Sequence, residues 1–252
     1  MSSLPDFDGI LNFRDYGGYP AQGGRLVTGR LYRSGHHHQA TEADLDRFTG
    51  QSVATIIDLR GDSERAMHPC RRHPDFSAAV VFAPGETVEH VGTQVDPGDR
   101  TALDRRMQAI YRILPFIPAL AGTYRLYIDA LIGRPGRSMV HCFAGKDRTG
   151  IAVALVHRLT GVHQDDLVAD YLRSNDPALL DRRIAIEADW LYENYGPLSD
   201  AALRAFFGVD ASYLEAAFAA MAERHGSVEG YAEAVLGVTP DRHEALQAAL
   251  IV

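Results

Sequence analysis

Residues 141–150 read His-Cys-Phe-Ala-Gly-Lys-Asp-Arg-Thr-Gly. The run before them, Ser138–His141, reads as a strand, and Ile151–Leu159 after them reads as a helix that is apolar nearly all round, hence central and buried. A strand–loop–helix of this kind turns backbone N–H groups inward and aims a helix N-terminus at one spot, which makes an anion site. Cys142 is held in that spot, with Arg148 six positions on. The helix end, the amides and Arg148 together are expected to ionise the thiol near or below neutral pH, where free cysteine has a pKa of about 8.5. The loop combines an anion cradle with a nucleophile.

Outward from the loop, Leu26–Tyr32, Val53–Leu59 and the short Val80–Ala83 read as further strands. Thr41-x-x-Asp44 opens a helix with a capping-box-like start, and Gly50 closes it. Met107–Leu114 and Ala119–Ile132 are predicted helices separated by Pro115 and Pro118. Beyond Leu159 the chain is helical, with start signals at Asp176-Pro177, Asp210 and Thr239-Pro240. Strands alternating with helices, then helices alone, predict an α/β fold with a central mixed sheet flanked by helices. Pro84–Arg100, rich in Gly, Pro, Asp and Glu, reads as a loop or insertion near the rim of the site. With no internal repeat or low-complexity tract, residues 1–252 are read as one domain.

Composition narrows the classes. The hydrophobic content of 46% is ordinary for a globular chain. A net charge of −8 and a pI of about 5.7 argue against nucleic acid as a partner, which needs a basic face. Arg60, Lys146 and Arg148 are the candidates for a local cationic cluster that still attracts phosphate. No stretch approaches the roughly 18 uninterrupted apolar residues of a membrane span, so no stable membrane insertion is expected. The start Met-Ser-Ser-Leu-Pro-Asp carries no basic or apolar leader, which favours a cytoplasmic protein and leaves signal-independent export open. Two cysteines, Cys70 and Cys142, give no disulfide framework and fit a reducing compartment.

The pattern Cys142-x5-Arg148-Thr149 resembles the signature loop of the protein tyrosine phosphatase superfamily, and the full string resembles its bacterial PtpB-like branch. Asn12-Phe13-Arg14-Asp15 with Gly17-Gly18, the run Gly29–Ser34, Asp58-Leu59-Arg60, and Asp170-Tyr171-Leu172 with Ser174-Asn175 match that branch in type and order. The resemblance implies the phosphatase fold and two-step hydrolysis of phosphomonoesters through a phosphocysteine, with no metal and no other cofactor. Its substrates would be a phosphorylated protein, phosphotyrosine first, or a phosphoinositide.

Under that resemblance Cys142 is the nucleophile, Arg148 grips two phosphoryl oxygens and Asp147 is the general acid. Asp58 is the alternative acid; its other reading is a carboxylate that binds backbone amides. Phe143, Ala144, Gly145, Lys146 and Thr149 bind the phosphate, with Lys146 facing the pocket mouth and Thr149 also able to cap the helix. Arg60 is expected to reach the phosphate, and His141 to support the loop from behind. Arg14, Asp15, Arg30 and Arg33 are expected to brace the sheet and loop. His36-His37-His38 reads as a surface loop, since consecutive histidines diverge in any regular structure. A protective Cys70–Cys142 disulfide has nothing in the sequence to place it. The aromatics after Asp176 read by spacing as core, while the resemblance implies an inserted helical pair folded over the site as a lid, with Met107–Ala121 contributing. The rivals are a phosphoinositide phosphatase with the same site, a phosphate-binding pseudoenzyme, and a sulfurtransferase, whose loops lack this Gly-Lys-Asp-Arg-Thr continuation.

Overall fold

The computed structural model describes residues 6–89 and 95–252. The chain runs β1 (Arg14–Asp15), β2 (Pro20–Ala21), β3 (Gly24–Arg25), β4 (Leu31–Ser34), α1 (Glu42–Thr49), β5 (Val53–Asp58), α2 (Asp62–Met67), β6 (Ala79–Val81), α3 (Arg100–Ile113), α4 (Pro118–Gly133) and β7 (Arg137–His141). Seven helices follow: α5 (Asp147–Leu159), α6 (Gln164–Leu172), α7 (Pro177–Tyr195), α8 (Asp200–Phe207), α9 (Ala211–His225), α10 (Val228–Leu236) and α11 (Pro240–Leu250). The main sheet has the order β1-β4-β7-β5-β6, with β1 antiparallel and the other neighbours parallel. This is the mixed sheet expected.

Alternation along the strands builds two faces. Leu31, Ile57 and Val140 point into the main core with α4, α5, α9, α10 and α11. Their sequence neighbours Tyr32, Ile56 and Met139 pack on the opposite face with Phe7, Leu45 and Phe48. The registers align Ser34, His141 and Asp58 in one row at the carboxyl ends of three parallel strands, where ligands of open α/β sheets bind.

The expected capping box is present: Thr41 Oγ1 accepts from Asp44 N–H (3.1 Å) and Asp44 Oδ2 from Thr41 N–H (3.0 Å). Asp176 and Asp210 cap α7 and α9 through side-chain bonds. The predicted strand Leu26–Tyr32 is displaced to Leu31–Ser34. Leu26 bridges Ile251 instead, and Arg25 and Val27 bond the backbone of Val252 and Leu250, so the C-terminus claims this segment. Helix α3 begins well before Met107 because Asp99 caps it. The predicted loop 84–100 lies partly outside the described residues, at 90–94.

Candidate active site

Cys142 follows β7 directly, and α5 opens straight out of the loop at Asp147. The Cys142 side chain is 1% exposed, and its Sγ accepts the Gly145 N–H at 3.3 Å. Gly145 has φ +69°, and a Cβ there would stand 2.4 Å from the Ser34 carbonyl group. Only glycine passes this close to β4. The Gly145 carbonyl accepts from Asn12 Nδ2 (2.8 Å) and Arg33 Nη2 (2.9 Å), which ties the loop to the N-terminal strands. Arg33 and Arg14 both pair with Asp170 on α6, at 2.8 and 3.3 Å. Burial alone would raise the Asp170 pKa; the two guanidinium groups outweigh it and bring it down to about 2. Arg30 instead donates to carbonyls, among them Ala249 O at 2.6 Å, and Asp15 accepts the Gly17 and Gly29 N–H groups.

Arg148 is clamped end-on by Glu64 of α2: Nη2 lies 2.8 Å from Oε1, and Nη1 bonds Oε2. Nη1 also donates to Thr87 Oγ1 at 2.8 Å. Burial disfavours the charged guanidinium, but Glu64 reverses this and keeps it protonated. The Nε–Nη2 edge stays available for two oxygens of one phosphoryl group. Asp147 accepts a hydrogen bond from Tyr111 Oη (2.7 Å), and Tyr111 Oη in turn meets Tyr171 Oη (2.7 Å). A chain of phenols from α3 and α6 thus fixes the carboxylate at the first turn of α5. Thr149 is fully buried with its Oγ1 unpartnered.

Lys146 lines the same cleft as Cys142 and Arg148, and its Nζ donates to Phe206 O and Gly208 O, both at 3.0 Å, at the end of α8. Arg183, Glu187, Phe206 and Phe207 of the α7–α8 pair form one side of a cleft of about 300 Å³. Cys142, Phe143, Ala144, Asp147 and Arg148 line the other side. Of the segment Met107–Ala121, Met107 lines the cleft, while Leu114 and Ile117 are in the main core. Among the post-176 aromatics, Tyr213 is buried in the core, whereas Trp190 is 51% exposed. A larger hollow, about 650 Å³, lies between the N-terminal segment and α6–α7 and contains none of Cys142, Asp147 and Arg148. Size is a poorer guide here than the convergence of polar groups.

Arg60 is not on the cleft lining. Its Nε and Nη2 bind the two Asp58 oxygens at 2.9 and 2.7 Å, its Nη1 the His68 carbonyl at 2.7 Å, and its Nη2 also Cys70 Sγ at 3.2 Å. Asp58 also accepts the Arg60 N–H (3.1 Å). Burial opposes its ionisation, yet His141 and Arg60 together hold its pKa below the usual carboxylate range. A carboxylate fixed as an anion at the strand end is a poor proton donor, which weighs against Asp58 as the acid. His141 Nδ1 bonds the Cys142 carbonyl (3.2 Å), and burial pushes its pKa down to about 4. Asp58, Cys70 and His141 are close enough together to suggest a metal site, but Arg60 already occupies Asp58 and Cys70. Both cysteines are free.

The histidine run is no surface loop. His37 is fully buried edge-on to Phe48, and His36 packs on Phe143 with ring centroids 4.4 Å apart. Sequence reading missed Glu64, Thr87 and Tyr111. Glu64 had one local signal, as the N3 residue that accepts the Gly61 N–H at the start of α2; the other two had none.

A model of the tyrosine phosphatase family matches residues 5–252. The chain belongs to that family. A Cupriavidus necator protein named as a tyrosine-protein phosphatase is 33% identical over 239 residues, covering 92% of this chain and 84% of its own. The triple specificity protein phosphatase PtpB of Mycobacterium tuberculosis is 31% identical over 264 residues, covering 91% and 92%. The mixed sheet and flanking helices are those of the tyrosine phosphatase fold, and the chain is a protein-tyrosine phosphatase by family.

Proposed function

We propose that residues 1–252 act as one cysteine-dependent phosphatase domain on protein phosphotyrosine, with dual specificity within its reach. The observation that carries this is the Cys142 sulfur at the floor of the loop, under the N–H of Gly145 and at the head of α5, in one cleft with Arg148 and Asp147. In the first step the Cys142 sulfur attacks phosphorus, the S–P bond forms and the P–O bond to the leaving group breaks. Asp147 gives its proton to the departing oxygen. Arg148 and the loop amides hold the phosphoryl oxygens and the charge that builds on them. In the second step water attacks phosphorus, the S–P bond breaks, and Asp147 takes the water's proton.

Apolar walls from Leu103, Met107, Phe206 and Phe207 suit the ring of phosphotyrosine. A phosphoinositide is the second reading, favoured by the Lys146 ammonium beside the cleft and by the breadth in the name of the PtpB relative. The test is hydrolysis of para-nitrophenyl phosphate in EDTA by wild type, Cys142→Ser and Asp147→Asn, followed by phosphopeptides and soluble phosphoinositides. Turnover that survives EDTA and vanishes in Cys142→Ser is expected. Turnover retained by Cys142→Ser would overturn the mechanism.

A further inference from the structure

We infer that Lys146 is a latch shared between the α7–α8 pair and the bound anion: when phosphate draws the Lys146 ammonium into the cleft, α8 loses its anchor and the site opens. This rests on the phosphatase reading for what the anion is.

Residues 176–208 form an excursion whose two ends are stitched together. The Asn175 side chain donates to Val209 O (2.8 Å) and accepts from Val209 N–H (2.7 Å). Between those ends the pair has a hydrophobic cluster of its own, with Leu180, Leu191, Leu203 and Phe207, separate from the main core. Outside this base, α7 also reaches the N-terminal segment through Arg182, which donates to Phe7 O and Asp8 O; a body with its own core and such peripheral ties can shift without dismantling the sheet. It also covers the nucleophile, since Phe206 and Phe207 bound the cleft in which Cys142 is 1% exposed.

The Lys146 ammonium hydrogen-bonds the loop to the end of α8. The carbonyls it binds belong to Phe206, in the last turn of α8, and to Gly208 just past it, at the end where helix geometry leaves carbonyls without partners and the helix dipole is negative. Both of its hydrogen-bond acceptors among the described residues are these lid carbonyls. The arrangement is poised against itself. Lys146 is 8% exposed, and burial lowers its pKa, with Asp147 opposing. A buried ammonium bonded to neutral carbonyls is poorly compensated. A phosphate dianion is a stronger acceptor than a carbonyl. Lys146 adjoins Asp147 and Arg148 on the cleft wall, and its flexible stem can turn from one acceptor to the other. Lid and anion therefore compete for one cation, and by linkage an anion that takes it weakens the closed state.

Hydrogen–deuterium exchange of the intact chain tests this, with wild type and Lys146→Met, with and without inorganic phosphate. In wild type, phosphate is expected to speed exchange of residues 200–207 about fivefold while α5 stays protected. In Lys146→Met, the same residues exchange fast from the start and phosphate adds nothing. Phosphate that slows α8 exchange in wild type, or a variant that protects α8 as well as wild type does, overturns the latch. The wild-type response alone decides the matter if the variant fails to fold. Turnover of para-nitrophenyl phosphate by the same sample separates the two readings. Turnover without an anion response sinks the latch alone; an anion response without turnover supports the latch and sinks the phosphatase reading.

Discussion

Arg148 keeps its orientation because Glu64 occupies one edge of its guanidinium and leaves the other edge open. Glu64→Gln retains the shape but puts an amide N–H₂ against the guanidinium, so kcat/KM should fall about tenfold, or ~1.4 kcal/mol of transition-state stabilisation. Steady-state kinetics on para-nitrophenyl phosphate check this, and an unchanged kcat/KM would reduce Glu64 to a structural role. Tyr111 positions Asp147 by a single hydrogen bond. Tyr111→Phe should lower kcat with little change in KM, and lower it more for a phosphopeptide than for para-nitrophenyl phosphate, because a basic leaving group depends more on its proton. Equal losses on both substrates would remove Tyr111 from the proton-transfer step. The residues of the loop itself were legible, since strand, glycine, cysteine and arginine are contiguous. Glu64 and Tyr111 lie 84 and 36 positions from their partners in the loop, and no local pattern records such a contact.

At the level of elements, legibility depended on whether a segment's partner was near in sequence. The capping box of α1 and the aspartate caps of α7 and α9 are local devices, and they read correctly. The segment Leu26–Tyr32 did not, because residues at the far terminus supply its hydrogen bonds. The aromatics of α7 and α8 carried a helical spacing that fits core and lid alike, and the structure gathers Tyr195, Phe206 and Phe207 into a cluster apart from the main core. That cluster makes a prediction. Replacing residues 177–207 by a short Gly–Ser link between Asp176 and Gly208 should leave a folded body, since Asn175 and Val209 already hold the ends together. Circular dichroism should show a cooperative melt, and alkylation of Cys142 by iodoacetamide should accelerate. A chain that aggregates or melts without cooperativity would show that the pair belongs to the body's own stability.

For the whole molecule, the back of the loop resists protonation. His36, His37 and His141 stack behind Phe143 and the ends of β4 and β7. Burial pushes His37 well below the ordinary imidazole value, His36 down to about 3 and His141 to about 4. In the unfolded chain each titrates near 6.5. The fold therefore holds its full stability above about pH 6.5, because only there does the unfolded state bind no extra protons. Below it each histidine costs stability as pH falls, until the folded group itself titrates. Asp170 behaves differently. Its stabilising pair with Arg33 and Arg14 is intact above about pH 4 and is lost as pH falls through about 2. The two sets predict different onsets, so urea denaturation between pH 8 and pH 4 distinguishes them. A midpoint that is level down to about 6.5 and then falls assigns acid lability to the histidines behind the active-site loop. A midpoint that stays level to pH 4 assigns it to the carboxylates, and the cluster would then have to take up protons without loss. In the first case the acid limb of any rate profile contains loss of the loop as well as the chemistry of the site. Rates below pH 6.5 then require a stability measurement at the same pH before they can be read as proton transfer.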